Sequence, residues 1–365
     1  MPSSISNSEP VPAGLEPPYQ RPLPALAGAL ATAVLTSLLL LGVWEAWVRS
    51  EQVTPSIRNS DGLWAEQRRR IDRGEGDGWV LIGSSRTLFD LQLDAWERVA
   101  GRRPIQLALE GTSPVAVLEG LADDPQFTGN LLVGVAPGLF FSGYEYRRTA
   151  IDRFATETPA QWFGQRVSLL LEPWLAFYEP DYALGAVLRR QPLSNRPGVE
   201  FERAVRKLSN MGRDRANRMW RRLETDPAYR DLARSIWADG WRPLANEPPE
   251  KRERILQSRQ RSLDRALAAT AKLRERGVTV VFVSLPYTGH YTVAEADIAP
   301  RAKTWDPLIA QSGALGLHFL DHPEMQGYDL PEWSHMSGAE ADRFTPVFYR
   351  LLQTELAARA KGVQP

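Results

Sequence analysis

The feature that most constrains this chain is a stretch of 23 residues without a charge, from Pro22 to Trp44. It is bounded by Arg21 and Glu45 and contains four consecutive leucines, Leu38 to Leu41. As a helix it spans roughly 35 Å at 1.5 Å per residue, enough for the hydrocarbon core of a bilayer. Trp44 and Trp47 close it, where indole rings favour the membrane interface. Core helices of soluble proteins seldom run this far without a charge. The region before it is long for a cleaved signal peptide, and no small-x-small cleavage site follows it. The expectation is a retained transmembrane anchor over 22–47, preceded by a disordered cytoplasmic tail over 1–21. One Arg and two Glu in that tail give the positive-inside rule little to act on. Most of the chain follows the anchor. That suits a single-pass signal-anchor with the body outside the cytoplasm and the lipid bilayer as a partner through residues 22–47.

Composition narrows the function classes. Among 365 residues, 44 Lys and Arg balance 44 Asp and Glu, so no bulk positive charge supports nucleic-acid binding, and no nucleic acid is expected as a partner. The absence of cysteine removes disulfides, thiol catalysis, Cys-ligated zinc and iron–sulfur clusters. An apolar fraction of 43% is enough for a sizeable core. His318 and His322 are four apart, but one alternates within a candidate strand and the other lies beyond it. No metal and no cofactor are expected.

Beyond the anchor, residues 48–77 are polar and read as a stalk and a short lead-in helix. A domain over 78–358 follows. Five short apolar runs read as buried strands: 79–82, 105–109, 131–135, 278–285 and 315–320. Helical patterns near 93–100, 114–122 and 262–276 lie between them. Near-continuous apolar strands alternating with helices indicate an α/β fold with a mostly parallel sheet covered on both faces. Residues 145–260 interrupt the alternation with 22 Lys and Arg against 16 Asp and Glu. They read as a helical insertion, a lid or side wall, with runs near 160–174 and 199–235 separated by a linker at Gln191–Gly198. Its basic surplus is either a solvated face or a contact for anionic headgroups or glycan. Ser337-Gly338-Ala339-Glu340 is a capping box opening a final helix, and 359–365 is a C-terminal tail.

A catalytic serine needs an exposed hydroxyl, a base, and an acid to orient that base. Ser84 and Ser85 follow the first strand. His335 lies in the last loop, with Glu332 three residues and Asp329 six residues before it; either acid can reach Nδ1. Arg86 is positioned for a carboxylate or phosphate of a substrate, or for a surface salt bridge. His290 follows the fourth strand and can line the same cleft. Trp333 lies within the Glu332–His335 segment. The twelve tryptophans, five of them in the insertion, suit either sugar stacking or ordinary packing.

Together these residues resemble the SGNH/GDSL hydrolase superfamily, and within it the membrane-anchored cell-envelope branch of alginate O-acetylation and teichoic-acid D-alanyl-transfer proteins. Gly83-Ser84-Ser85 matches the first block, which implies Ser85 as nucleophile. Glu332-Trp333-Ser334-His335 stands where the superfamily has Asp-x-x-His, and Gly338 matches the run into the final helix. Gly111 fits the second-block glycine, so the backbone N–H groups of Ser85 and Gly111 form the implied oxyanion hole. The third block departs: Gly134-Val135-Ala136-Pro137 lacks the usual asparagine. The resemblance covers about 78–140 and 278–358. It implies a flavodoxin-like three-layer α/β/α sandwich with five mostly parallel strands. It implies acyl (O-acetyl) transfer or ester hydrolysis on an envelope polysaccharide or glycolipid, with a membrane-bound O-acyltransferase as an acyl donor. The competing expectation is a non-catalytic glycan-binding or assembly protein of a polysaccharide modification or export system.

Overall fold

Runs of valine, leucine and isoleucine, too continuous for a half-exposed sheet, form strands that are buried on both sides. The computed structural model describes residues 26–189, 205 and 207–362. The chain divides into two units, Met1–Glu51 and Gln52–Pro365. In the first unit Leu26–Ser50 is one helix of 25 residues. Its most apolar stretch has a mean hydropathy of 2.2 and is unburied throughout, so the helix is long and apolar enough to cross a membrane. The expected tail over 1–21 lies outside the described residues.

The second unit contains β1 (Trp79–Ile82), β2 (Ile105–Gln106), β3 (Asn130–Gly134), β4 (Ser209–Met211), β5 (Asn217–Met219), β6 (Thr279–Ser284) and β7 (Leu315–His318). Five of them form one sheet in the order β2-β1-β3-β6-β7, with every pairing parallel. All five expected strands are present, most with slightly tighter bounds. The register aligns Val80 with Leu131 and Val280, and Leu81 with Leu132 and Val281. Alternate residues therefore face opposite sides. Val80, Ile82, Leu131, Val133, Val280 and Phe282 pack in one cluster with helices Val115–Ala122, Pro249–Glu275 and Trp305–Ser312. Leu81, Leu132, Val281, Val283 and Leu317 pack in another with Trp96 of Leu93–Ala100 and with Phe344, Phe348 and Leu352 of Gly338–Ala360.

Three expectations change. Residues 48–77 include a helix, Asp61–Arg70, as expected, but the segment is packed rather than a free stalk: Val53, Ile57, Leu63 and Trp64 are buried. The helical run expected over 199–235 contains the antiparallel hairpin β4–β5, followed by helices Arg221–Thr225 and Pro227–Asp239. Gly212 and Asp214 make its turn, the Asp214 carboxylate accepting from Ala216 N–H at 3.1 Å. Arg215, buried and at φ 65°, donates to Ala108 O and Asn59 Oδ1, tying the hairpin to the end of the β2 segment. The linker at Gln191–Gly198 lies outside the described residues. Finally, helix Gly338–Ala360 runs into the expected tail. Ser337 caps it by accepting from Glu340 N–H at 3.4 Å, but Glu340 does not return the bond. Its carboxylate accepts from Asp329 N–H at 3.3 Å, and Ser337 N–H donates to Asp329 O at 3.2 Å.

Candidate active site

At the C-terminal ends of the strands lies a cavity of about 1080 Å³. Such an edge is where ligands bind in parallel α/β sheets, because the loops and helix starts converge there. Ser84, Ser85, Arg86, Gly111, His290, Ser334 and His335 all line it, so loops separated by up to 250 residues meet.

β1 runs into Gly83, Ser84 and then the short helix Ser85–Asp90. Gly83 must be glycine: a Cβ there would sit 2.1 Å from Thr87 Oγ1, at a φ of 154°. Gly134, ending the neighbouring β3, is filled by the same threonine hydroxyl, 1.7 Å from where its Cβ would be. Ser84 is buried and Ser85 half-exposed to the cavity. As the first helical residue, Ser85 has no intrahelical acceptor for its N–H. Gly111 turns with φ 62°, and its predecessor Glu110 is held by Arg147 and Asn59.

His335 is 5% exposed. Its Nδ1 lies 2.7 Å from Glu332 Oε1, which also accepts the His335 backbone N–H at 2.7 Å. The other oxygen, Oε2, accepts from Trp237 Nε1 at 2.7 Å. Burial works against the Glu332 charge. The His335 ring and these hydrogen bonds outweigh it and hold the carboxyl below its ordinary range. An ionised acceptor on Nδ1 places the neutral ring's proton there and leaves Nε2 as the basic nitrogen. Nε2 is buried and has no hydrogen-bond partner among the described residues. The ring stacks on Phe89, centroids 4.3 Å apart. Phe89 is one helical turn from Ser85, so the imidazole covers the helix face that Ser85 shares.

Asp329 is elsewhere. It is exposed and its backbone serves the start of the last helix, so Glu332 is the acid on the imidazole. Arg86 is 3% exposed and pairs with Glu295 at 2.6 Å, beneath Tyr287 and Tyr291, rather than reaching out as a surface cation. Glu295 also accepts from Gly138 N–H at 3.2 Å. His290 packs edge-on to Trp241, its Nε2 buried without a partner among the described residues. Trp333 does not line the cavity. Its φ of 74° folds the Glu332–His335 turn, and its indole covers Gly289.

Sequence reasoning missed the supports. Trp237, read only as an insertion tryptophan, binds the Glu332 carboxylate. Asp90, buried at the far end of the serine helix, accepts from Met336 N–H at 2.9 Å, next to His335. Burial pushes its carboxyl up to about 7, against the pull of His335, the Met336 bond and Arg86. No local pattern marks either residue, because each acts on a segment 95 or more residues away. Among the described residues, no group of three or more His, Asp or Glu side chains is arranged to hold a metal.

No family model matches the chain. None of the curated proteins matches it either.

Proposed function

We propose that this is a membrane-anchored serine acyltransferase or esterase of the SGNH/GDSL type. In that reading the body is a flavodoxin-like three-layer sandwich lying outside the cytoplasm, and its substrate is an envelope polysaccharide or glycolipid. The observation that carries the proposal is the Glu332–His335 pair: its Nε2 has no hydrogen-bond partner among the described residues, and His335 lines the same cavity as Ser85. The strand order β2-β1-β3-β6-β7 is consistent with the sandwich.

Ser85 Oγ attacks the acyl carbonyl carbon while His335 Nε2 takes the hydroxyl proton. Glu332 holds the ring and compensates the imidazolium. The N–H groups of Ser85 and Gly111 receive the oxyanion. The tetrahedral intermediate collapses, its C–O bond to the leaving group breaks, and the departing oxygen takes the proton from His335. A sugar hydroxyl or water then attacks the acyl-serine, giving its proton to Nε2, and Ser85 leaves with that proton. A membrane-bound O-acyltransferase is the proposed source of the acyl group.

A non-catalytic glycan-binding or assembly role is the second reading. It is favoured by the segment Gly134–Pro137, which brings no side-chain donor to the oxyanion, and by the Gly138 N–H being committed to Glu295. Incubation with several activated acyl esters, followed by peptide mass spectrometry, separates the two. An enzyme carries acyl on Ser85, loses it in Ser85→Ala, largely keeps it in Ser84→Ala, and forms it orders of magnitude more slowly in His335→Ala. No adduct from any donor, with glycan acylation unchanged in cells carrying Ser85→Ala at normal protein level, leaves the binding role.

A further inference from the structure

None of the thirteen residues of helix Pro159–Leu171 is buried, which is unusual for a segment this apolar. Phe163 and Leu170 are 64% and 63% exposed, with Val167 and Leu171 beside them. At 100° per residue these four lie within one face of the helix. Gln165 lies on the opposite side. It accepts from Ser60 Oγ at 2.9 Å, and Ser60 lines the large cavity. Just beyond the helix, the Glu172 carboxylate accepts from Arg58 N–H at 2.8 Å, and Arg58 lines the same cavity. The helix is thus the outer cover of one cavity wall, with its apolar stripe turned away from the protein. Leu184 and Leu188, on helix Leu184–Arg189, are exposed too, and the Pro180–Asp181 segment just before them also lines the cavity. At the edge of the stripe, the Arg166 guanidinium lies over the Trp162 ring, 3.4 Å from its centroid. This pairs an amphipathic ring with a cation on a long stem, as at membrane interfaces.

We infer that this face docks on a lipid bilayer, the one crossed by Leu26–Ser50, and that it sets the cavity wall against the membrane surface. The chain itself supplies the argument for lipid. Val53 and Ile57 are already buried in the body, so only three residue steps separate the end of the apolar helix from packed structure. That length reaches about 10 Å at full extension, so the link lets the body move only a short way from the end of that helix. An apolar stripe on a body tethered so closely can be taken up by the interface, at a gain of about 25 cal/mol per Å² of apolar surface buried. The inference rests on the membrane-anchor reading, and it adds that the proposed acyl chemistry takes place beside lipid.

The cysteine-free sequence allows a direct test. Phe163→Cys, Leu170→Cys, Leu39→Cys and Gln353→Cys are introduced singly into the full chain, spin-labelled and reconstituted in lipid vesicles. Collisions with oxygen, which partitions into lipid, are compared with collisions with a water-soluble nickel chelate. The expected result is an oxygen-to-nickel ratio at 163 and 170 several-fold above that at 353 and approaching that at 39. Nickel access at 163 and 170 equal to that at 353 overturns docking. Loss of both collisions there means a protein cover, such as a second copy, and also overturns it. Nickel access at 39 defeats the anchor reading, and docking with it. Labelling of Ser85 by acyl esters is a separate readout, so failure of the catalytic reading is seen independently.

Discussion

Glu332 is fully buried, and both of its oxygens are engaged, by two groups of His335 and by the Trp237 indole. Glu332→Gln keeps the shape but removes the charge that fixes the ring's tautomer. Acyl turnover with an activated ester is expected to fall at least about tenfold. Asp329→Asn, at an exposed position away from the ring, is expected to leave turnover near wild type; equal or reversed effects would remove Glu332 as the acid. Trp237→Phe leaves one buried carboxylate oxygen without its donor. It should cost about 1–3 kcal/mol in denaturant unfolding and lower turnover as the ring loosens. Asp90 gives a pH signature. Its carboxyl titrates near 7 in the folded protein and near the ordinary value of about 4 when unfolded. The folded state therefore holds a proton that the unfolded chain releases, so the group's contribution is complete below about pH 4 and is lost as pH rises through 7. Asp90→Asn keeps an acceptor for Met336 N–H without titrating. Relative to wild type, its unfolding free energy should rise between pH 4 and 7, by at most about 1.4 kcal/mol per pH unit. A pH-independent difference in denaturant titrations would contradict the assignment.

The helix Ser85–Asp90 is the element that sets the site's dimensions. It carries Ser85 at one end and, at the other, Phe89 against the His335 ring and Asp90 on the Met336 N–H. Two glycines and one threonine hold it to the sheet. Gly134→Ala would press its Cβ onto Thr87 Oγ1 and should destabilise by about 1–3 kcal/mol. Combining it with Thr87→Ala should recover a large part of that loss, because the two changes share one space. Simple additivity in a double-mutant cycle would argue against this contact. The five sheet strands could be found in the sequence because each is an apolar run bounded by turn residues. The hairpin β4–β5 could not. Its strands, Ser-Asn-Met and Asn-Arg-Met, have no apolar alternation, and the stretch around them is rich in helix-forming arginine. Buried Arg215 and its bonds to Asn59 and Ala108 fix that hairpin, and those partners are more than 100 residues away.

For the whole molecule, the balanced charge and the apolar helix Leu26–Ser50 leave orientation open, since the flanking charges hardly differ. The proposed placement outside the cytoplasm predicts that a single cysteine at Gly362, an exposed position, is labelled by an impermeant reagent in intact spheroplasts. Protection reversed by lysis would put the body in the cytoplasm and defeat the envelope reading.

The sequence by itself determined the features that depend on neighbours along the chain. These are an uncharged stretch long enough as a helix to cross a membrane, five buried strands alternating with helices, a glycine-serine turn after the first strand, and a histidine three residues beyond an acid. Each follows from periodicity, length or turn chemistry within a few residues. The tertiary structure decided which acid meets the imidazole: Asp329, six residues before His335, is exposed, whereas Glu332, three residues before it, is buried against the ring. It also paired Arg86, at the cavity wall, with Glu295, a carboxylate 209 residues away that offsets the cost of taking that guanidinium out of water. Trp237 and Asp90 became supports of the site only when folding brought distant segments together, and no spacing rule reaches across such separations.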